Sequence, residues 1–67
     1  MKPMRVREVL RLLKSAGWLH VRTRGSHHIF RHPLKSGTVT VPGNPSRTIP
    51  VGTLKAIFRQ AQMEAER

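Results

Sequence analysis

Hydrophobic positions recur along the chain with two different periods. Near the N-terminus they are three or four residues apart, which is typical of a helix that buries one side: Val6, Val9, Leu10 and Leu13. Pro3 suits a first helical turn and Gly17 suits the position after the last one. A second stripe with this spacing follows Pro50 and precedes a polar tail over residues 64–67: Leu54, Ile57, Phe58 and Ala61. The pattern predicts one helix from about Pro3 to Ala16 and another that starts at Pro50.

Between these helices the period falls to two, which indicates half-buried strands. Alternation runs from Trp18 to Arg24, and Gly25-Ser26 then supplies a two-residue type II′ turn. The return strand covers 27–32, and a third strand covers 38–41 before Pro42 ends it. The order α-β-β-β-α predicts a single α+β domain over residues 1–67, with two helices packed on one face of a three-stranded antiparallel sheet. Double-stranded-RNA-binding domains have this kind of architecture.

The middle strand carries adjacent histidines on opposite sides of the sheet. Phe30 is its largest hydrophobic residue, so we expect Phe30 to face the core with His28 half-buried beside it. The first strand then directs Leu19, Val21 and Thr23 inward. The outward positions of both strands are basic: His20, Arg22, Arg24, His27 and Arg31. The opposite parity, with Ile29 inward and with Phe30 and His28 exposed, stays open at this point.

Composition narrows the chemistry. The 67 residues include 13 Lys or Arg and only 3 acidic residues, for a net charge of +10, so a polyanion is the expected partner. The chain has no Cys and no Asp, and Glu8 is the only carboxylate before the C-terminal tail. Thiol catalysis, carboxylate dyads and Mg²⁺-dependent phosphoryl transfer are therefore excluded, and we expect neither a metal nor another cofactor. No apolar run is typical of a secretory signal or a membrane span, so a cytoplasmic protein is expected.

The hairpin and the segments around it resemble a known family. The similarity lies in residues 25–33 (Gly-Ser-His-His-Ile-Phe-Arg-His-Pro), in the strand over 38–42, in the helix over 50–61, and in the opening helix that runs into Gly17-Trp18. Together these residues resemble HicA toxins of HicBA toxin–antitoxin modules. The resemblance implies the double-stranded-RNA-binding-like fold, metal-independent ribonuclease activity on messenger RNA, and a HicB antitoxin that covers the active site. It also implies that His27 is the catalytic histidine and that Gly25 is important.

Two sets of residues near His27 are expected to act with it: one set supports the histidine, and the other binds RNA phosphates. Gly25, Ser26 and His28 are expected to support the catalytic residue. Gly25 in particular allows close backbone approach to a phosphate. The cations expected to bind RNA phosphates are Arg22, Arg24, Arg31 and Lys35. The alternative is a non-catalytic RNA-binding module that uses the same basic sheet. A third reading, a DNA-binding or adaptor protein, depends on charge alone.

Overall fold

The computed structural model describes residues 2–63, and the two helices and three main strands follow one another in the predicted order. The predicted polar tail over 64–67 lies outside the described residues. The elements are β1 (Met4–Arg5), α1 (Val6–Ser15), β2 (Leu19–Arg24), β3 (His27–Arg31), β4 (Thr38–Pro42), β5 (Thr48–Ile49) and α2 (Val51–Gln60). Neither of the described helices has the length and apolarity needed to cross a membrane.

The first helix begins later than its pattern predicts. Arg5 is the residue before α1 and has an extended backbone (φ −76°, ψ 149°), while Met4 and Arg5 pair with Ile49 and Thr48 in a small antiparallel sheet. The helical start at about Pro3 was therefore wrong by three residues. Two carbonyls of the loop between β4 and β5 accept the first N–H groups of α1: the Val6 N–H donates to the Arg47 carbonyl at 2.8 Å, and the Arg7 N–H donates to the Pro45 carbonyl at 3.0 Å. This loop takes the place of a side-chain N-cap.

The main sheet is antiparallel in the order β2-β3-β4, as predicted. Arg24 pairs with His27 across a two-residue turn in which Gly25 has a φ of +60°. Ser26 does not have a positive φ. A single positive φ at the first central position is the mark of a type II′ turn, which is the turn predicted for Gly25-Ser26.

The core lies between the helices and one face of this sheet. Phe30 is completely buried, as are Val39 and Val41 of the neighbouring strand. Six residues of the two helices and three residues outside them complete the core: Val6, Val9, Leu13, Leu54, Ile57 and Phe58, together with Trp18, Ile49 and Ala61. The parity with Phe30 inward is therefore confirmed, and the one with Ile29 inward is wrong. Burial of the Phe30 ring contributes about 1.5–3 kcal/mol to folding.

A β-bulge changes the faces of the first half of β2. Leu19 pairs with Arg31 and His20 with Phe30, but the next pair is Arg22 with Ile29, so Val21 has no partner. Because of this extra residue, Leu19 and His20 face the opposite sides of the sheet from those that regular alternation predicts. Leu19 and Val21 are 58% and 49% exposed, so their predicted place in the core was wrong. His20 lies on the helix side with Phe30, so its predicted place beside His27 was also wrong.

Candidate functional site

Both helices in the described part of the chain pack on the Phe30 side of the main sheet, and neither covers the other face. Cross-strand partners share a face, so this side carries three rows of residues, and we call it the open face: Leu19, Arg31 and Thr38; Arg22, Ile29 and Thr40; Arg24, His27 and Pro42. Three arginines and one histidine lie here, as predicted for Arg22, Arg24, His27 and Arg31. Among residues 2–63 the only carboxylate side chain is that of Glu8, which accepts the Arg5 backbone N–H at 3.3 Å. Within residues 2–63 the open face is therefore cationic and carries no carboxylate side chain.

His27 is the first residue of β3 and lies in the end row of the open face. Its neighbours across the two ladders are Arg24 and Pro42. The Gly43 N–H donates to the Ser26 carbonyl at 2.9 Å, which makes His27 and Pro42 a non-hydrogen-bonded pair. Residues in such a pair do not donate to each other, so the absence of an N–H at Pro42 costs the sheet no hydrogen bond. The His27 side chain is exposed, and no side chain among residues 2–63 hydrogen-bonds its imidazole.

Gly43 connects both residues that flank His27. Its N–H donates to the Ser26 carbonyl, and its own carbonyl accepts from Nε2 of His28 at 2.9 Å. Because a carbonyl can only accept, His28 must carry a proton on Nε2. His28 is half-buried on the helix side of the sheet, as predicted. We call this arrangement of Ser26, Gly43 and His28 the Gly43 clasp, and it fixes the backbone from which the His27 side chain projects.

The His28 bond predicts a positioning effect that can be measured. If His27 is catalytic, we expect His28→Leu to lower kcat about fivefold with little change in KM, because one lost hydrogen bond is worth about 1 kcal/mol. Glutamine places an N–H close to the position of imidazole Nε2, so His28→Gln should recover most of the loss. Steady-state kinetics on RNA, with urea unfolding of both variants, separates positioning from stability. A glutamine variant as slow as the leucine variant would contradict a role for the hydrogen bond.

The other two histidines lie away from the open face. Nε2 of His20 is 2.8 Å from Oγ1 of Thr23, and its ring centroid is 5.3 Å from that of Phe30. His32 donates from Nε2 to the Ala16 carbonyl at 3.2 Å and accepts the Leu34 N–H at Nδ1 at 3.0 Å. With both ring nitrogens engaged and its ring against Trp18 at 5.2 Å, His32 joins the end of α1 to the loop after β3. It is a packing residue.

The structure does not bring Lys35 close to His27. Lys35 lies in the loop that follows Arg31, at the end of β3 opposite to the Gly25-Ser26 turn, and it is half-buried. Its assignment to phosphate binding stays a prediction for an RNA that extends past the end of the strand. Among residues 2–63, no three His, Cys, Asp or Glu side chains lie together in a way that suits a metal ion.

Sequence reasoning did not identify Gly43 as part of the site. It is buried, has a φ of +103°, and lies 15 residues from the histidine that it binds. Its one local signal is its position after Pro42 in a breaker-rich loop, which predicts a turn and no partner. Arg22 and Arg24, in contrast, lie where the alternation placed them, because they follow the bulge.

The comparison with protein families covers most of the chain. A family model described as the HicA toxin of bacterial toxin–antitoxin modules matches residues 6–63, which includes both helices, the main sheet and the Gly43 clasp. No curated protein sequence matches the chain significantly.

Proposed function

The chain belongs to the HicA family of toxins from bacterial toxin–antitoxin modules, and on that basis we propose that its one domain over residues 1–67 is a cytoplasmic endoribonuclease. The proposed activity is metal-independent cleavage of messenger RNA with His27 as the catalytic residue. The observation that carries the proposal is the place of His27, which is exposed beside Arg24 on the open face; within residues 2–63 that face carries no carboxylate, and no hydrogen bond engages the His27 imidazole.

RNA carries its own nucleophile, so the protein has to move protons and to stabilise charge. The ribose 2′-oxygen attacks phosphorus, the bond from phosphorus to the 5′-oxygen breaks, and a 2′,3′-cyclic phosphate and a 5′-hydroxyl remain. Imidazole titrates near neutral pH and is suited to accept the 2′-proton or to supply the 5′-proton. Arginine guanidinium groups stabilise the charge that develops on the phosphate oxygens. His27 and Arg24 supply these two functions from paired positions.

The same face fits the antitoxin that the family implies. We propose that HicB covers His27 and directs carboxylates at Arg22, Arg24 and Arg31, since no carboxylate among residues 2–63 shares the open face with these arginines. Antitoxin and RNA then compete for one surface. Their competition is electrostatic in origin, so both complexes weaken as the salt concentration rises.

The function is tested with purified protein, freed of antitoxin, and a synthetic messenger RNA in EDTA. We expect cleavage in EDTA, intact 2′-O-methyl RNA of the same sequence because it lacks the nucleophile, and arrest of cleavage by equimolar HicB. Binding of the RNA without cleavage at any protein concentration would instead identify a non-catalytic RNA-binding module. Cleavage that appears only after Mg²⁺ is restored would contradict the metal-independent mechanism.

A further inference from the structure

We propose that the RNA reaching His27 is a single strand that lies across the open face from His27 to Arg31, and that a duplex is not a substrate. This inference rests on the proposed ribonuclease function and deepens it, because it names the form of the RNA and the path that it follows. The helix layer, with its own basic residues, has no part in that path.

The first step of the argument is the separation of the two basic surfaces. Both helices pack on the side of the sheet that carries Phe30, so the exposed cations of α1 belong to the opposite layer of the domain: Arg7, Arg11 and Lys14. His27 faces away from that layer. A nucleic acid bound to α1 is therefore separated from His27 by the thickness of the sheet.

The second step is the spacing of charge on the open face. His27 and Arg31 are both on β3 and four residues apart, which is about 13 Å along a strand. Arg22 lies between them on the neighbouring strand, in the row of Ile29. A stacked strand at roughly 3.4 Å per nucleotide would place about four nucleotides over this distance, and an unstacked strand, whose backbone is more extended, places fewer. The arginines are thus placed to contact the phosphates of one RNA strand, from the cleavage point to the far end of the sheet.

The third step concerns the apolar residues between these charges. Ile29 is half-buried at the centre of the open face, and Leu19 is 58% exposed beside Arg31. A single strand can turn unstacked bases towards such residues, whereas an A-form duplex keeps its bases stacked inside and presents phosphates and 2′-hydroxyls. The mixture of guanidinium and aliphatic groups therefore favours a single strand.

The geometry of the reaction points the same way. The 2′-oxygen has to attack in line with the departing 5′-oxygen, and the regular A-form backbone does not hold these atoms in line. A flexible strand reaches the in-line arrangement by rotation about its own backbone. His27 is exposed in the end row of the open face, where such a strand can reach it.

The test combines one substitution with two lengths of substrate. A 12-nucleotide RNA without self-complementarity is used to map the cleavage site, and the dinucleoside phosphate of that site serves as the short substrate. We expect Arg31→Gln to lower kcat/KM about tenfold on the 12-nucleotide RNA and much less on the dinucleoside phosphate, because the short substrate does not reach Arg31. Arg11→Gln removes the same charge from the helix layer, and it should change neither value by more than about twofold. The wild-type protein should leave the 12-nucleotide RNA intact after it is annealed to its complement.

Binding is measured separately with a DNA strand of the same sequence, which has the phosphates but no 2′-hydroxyl. For Arg31→Gln, the slope of log K against log salt should fall by about 0.7, the value for one phosphate contact on a single strand, and for Arg11→Gln it should stay constant. Equal losses from the two variants, or cleavage of the duplex at a comparable rate, would overturn the proposed path. An Arg31→Gln protein that cleaves like wild type while losing affinity for HicB would assign this end of the open face to the antitoxin and also overturn it. These results all presuppose cleavage by the wild-type protein, whose absence would count against the ribonuclease function and not against the path.

Discussion

Replacing His27 with alanine should reduce RNA cleavage by about 10²–10⁴-fold, the usual contribution of a general acid or base. The side chain is exposed and contributes nothing to the core, so the variant should keep its fold and its urea midpoint. Binding of an uncleavable DNA strand should change by less than about threefold, because Arg22, Arg24 and Arg31 remain. The loss should therefore appear in the single-turnover rate constant of cleavage, measured with enzyme in excess over a labelled RNA.

His20→Ala is the matched control for this substitution. It removes the same imidazole, five residues before the Gly25-Ser26 turn, from a side chain that is also exposed. The bulge at Val21 puts His20 on the helix side, where its ring contacts Phe30. The control should keep nearly full activity. A folded His27→Ala protein that still cleaves RNA, or equal losses from both substitutions, would remove His27 from the catalytic role.

The contrast between His20 and His27 indicates how far the sequence determines the site. His27 could be placed because the hairpin turn is local: Gly25-Ser26 fixes the pair Arg24–His27, and burial of Phe30 then decides which side each β3 residue faces. His20 could not be placed, because its strand alternates regularly in sequence and the bulge exists only in its register against β3. A one-residue insertion leaves no compositional mark, yet it reverses every assignment beyond it.

The same distinction explains the remaining differences in the fold. The stripe from Val6 to Leu13 predicted α1 correctly, since the period of a helix is encoded within a few turns of chain. The first residue of α1, however, depends on Thr48, which is more than 40 positions away. Pairing of Thr48 with Arg5 holds the chain extended up to that point. The loop before β5 has a similar long-range role, because its carbonyls cap α1 and its Gly43 binds the hairpin. Contacts of this kind depend on tertiary packing, which local periodicity does not encode.

Gly43→Ala should be the most damaging change in this loop, with a loss of about 2–4 kcal/mol in the free energy of unfolding. A φ of +103° is unfavourable for any residue with a Cβ, and a Cβ here would lie 2.9 Å from Cδ of Arg47 and 3.4 Å from Cγ2 of Val6. Gly37→Ala is the matched control, since Gly37 has a φ of +82° but no atom within 4 Å of the added methyl. It should lose only about 1 kcal/mol in urea unfolding.

The contact with Arg47 makes the expected cause of the loss testable. Arg47→Ala removes Cδ but keeps the backbone carbonyl that accepts the Val6 N–H, so the double variant should be less destabilised than the two single effects predict together. Gly43 also holds Ser26 and His28, the two neighbours of His27. The folded fraction of the Gly43→Ala protein should therefore have a lower kcat than the folded fraction of Gly37→Ala. Equal activity in the two variants would mean that the hairpin holds His27 in place without the Gly43 clasp.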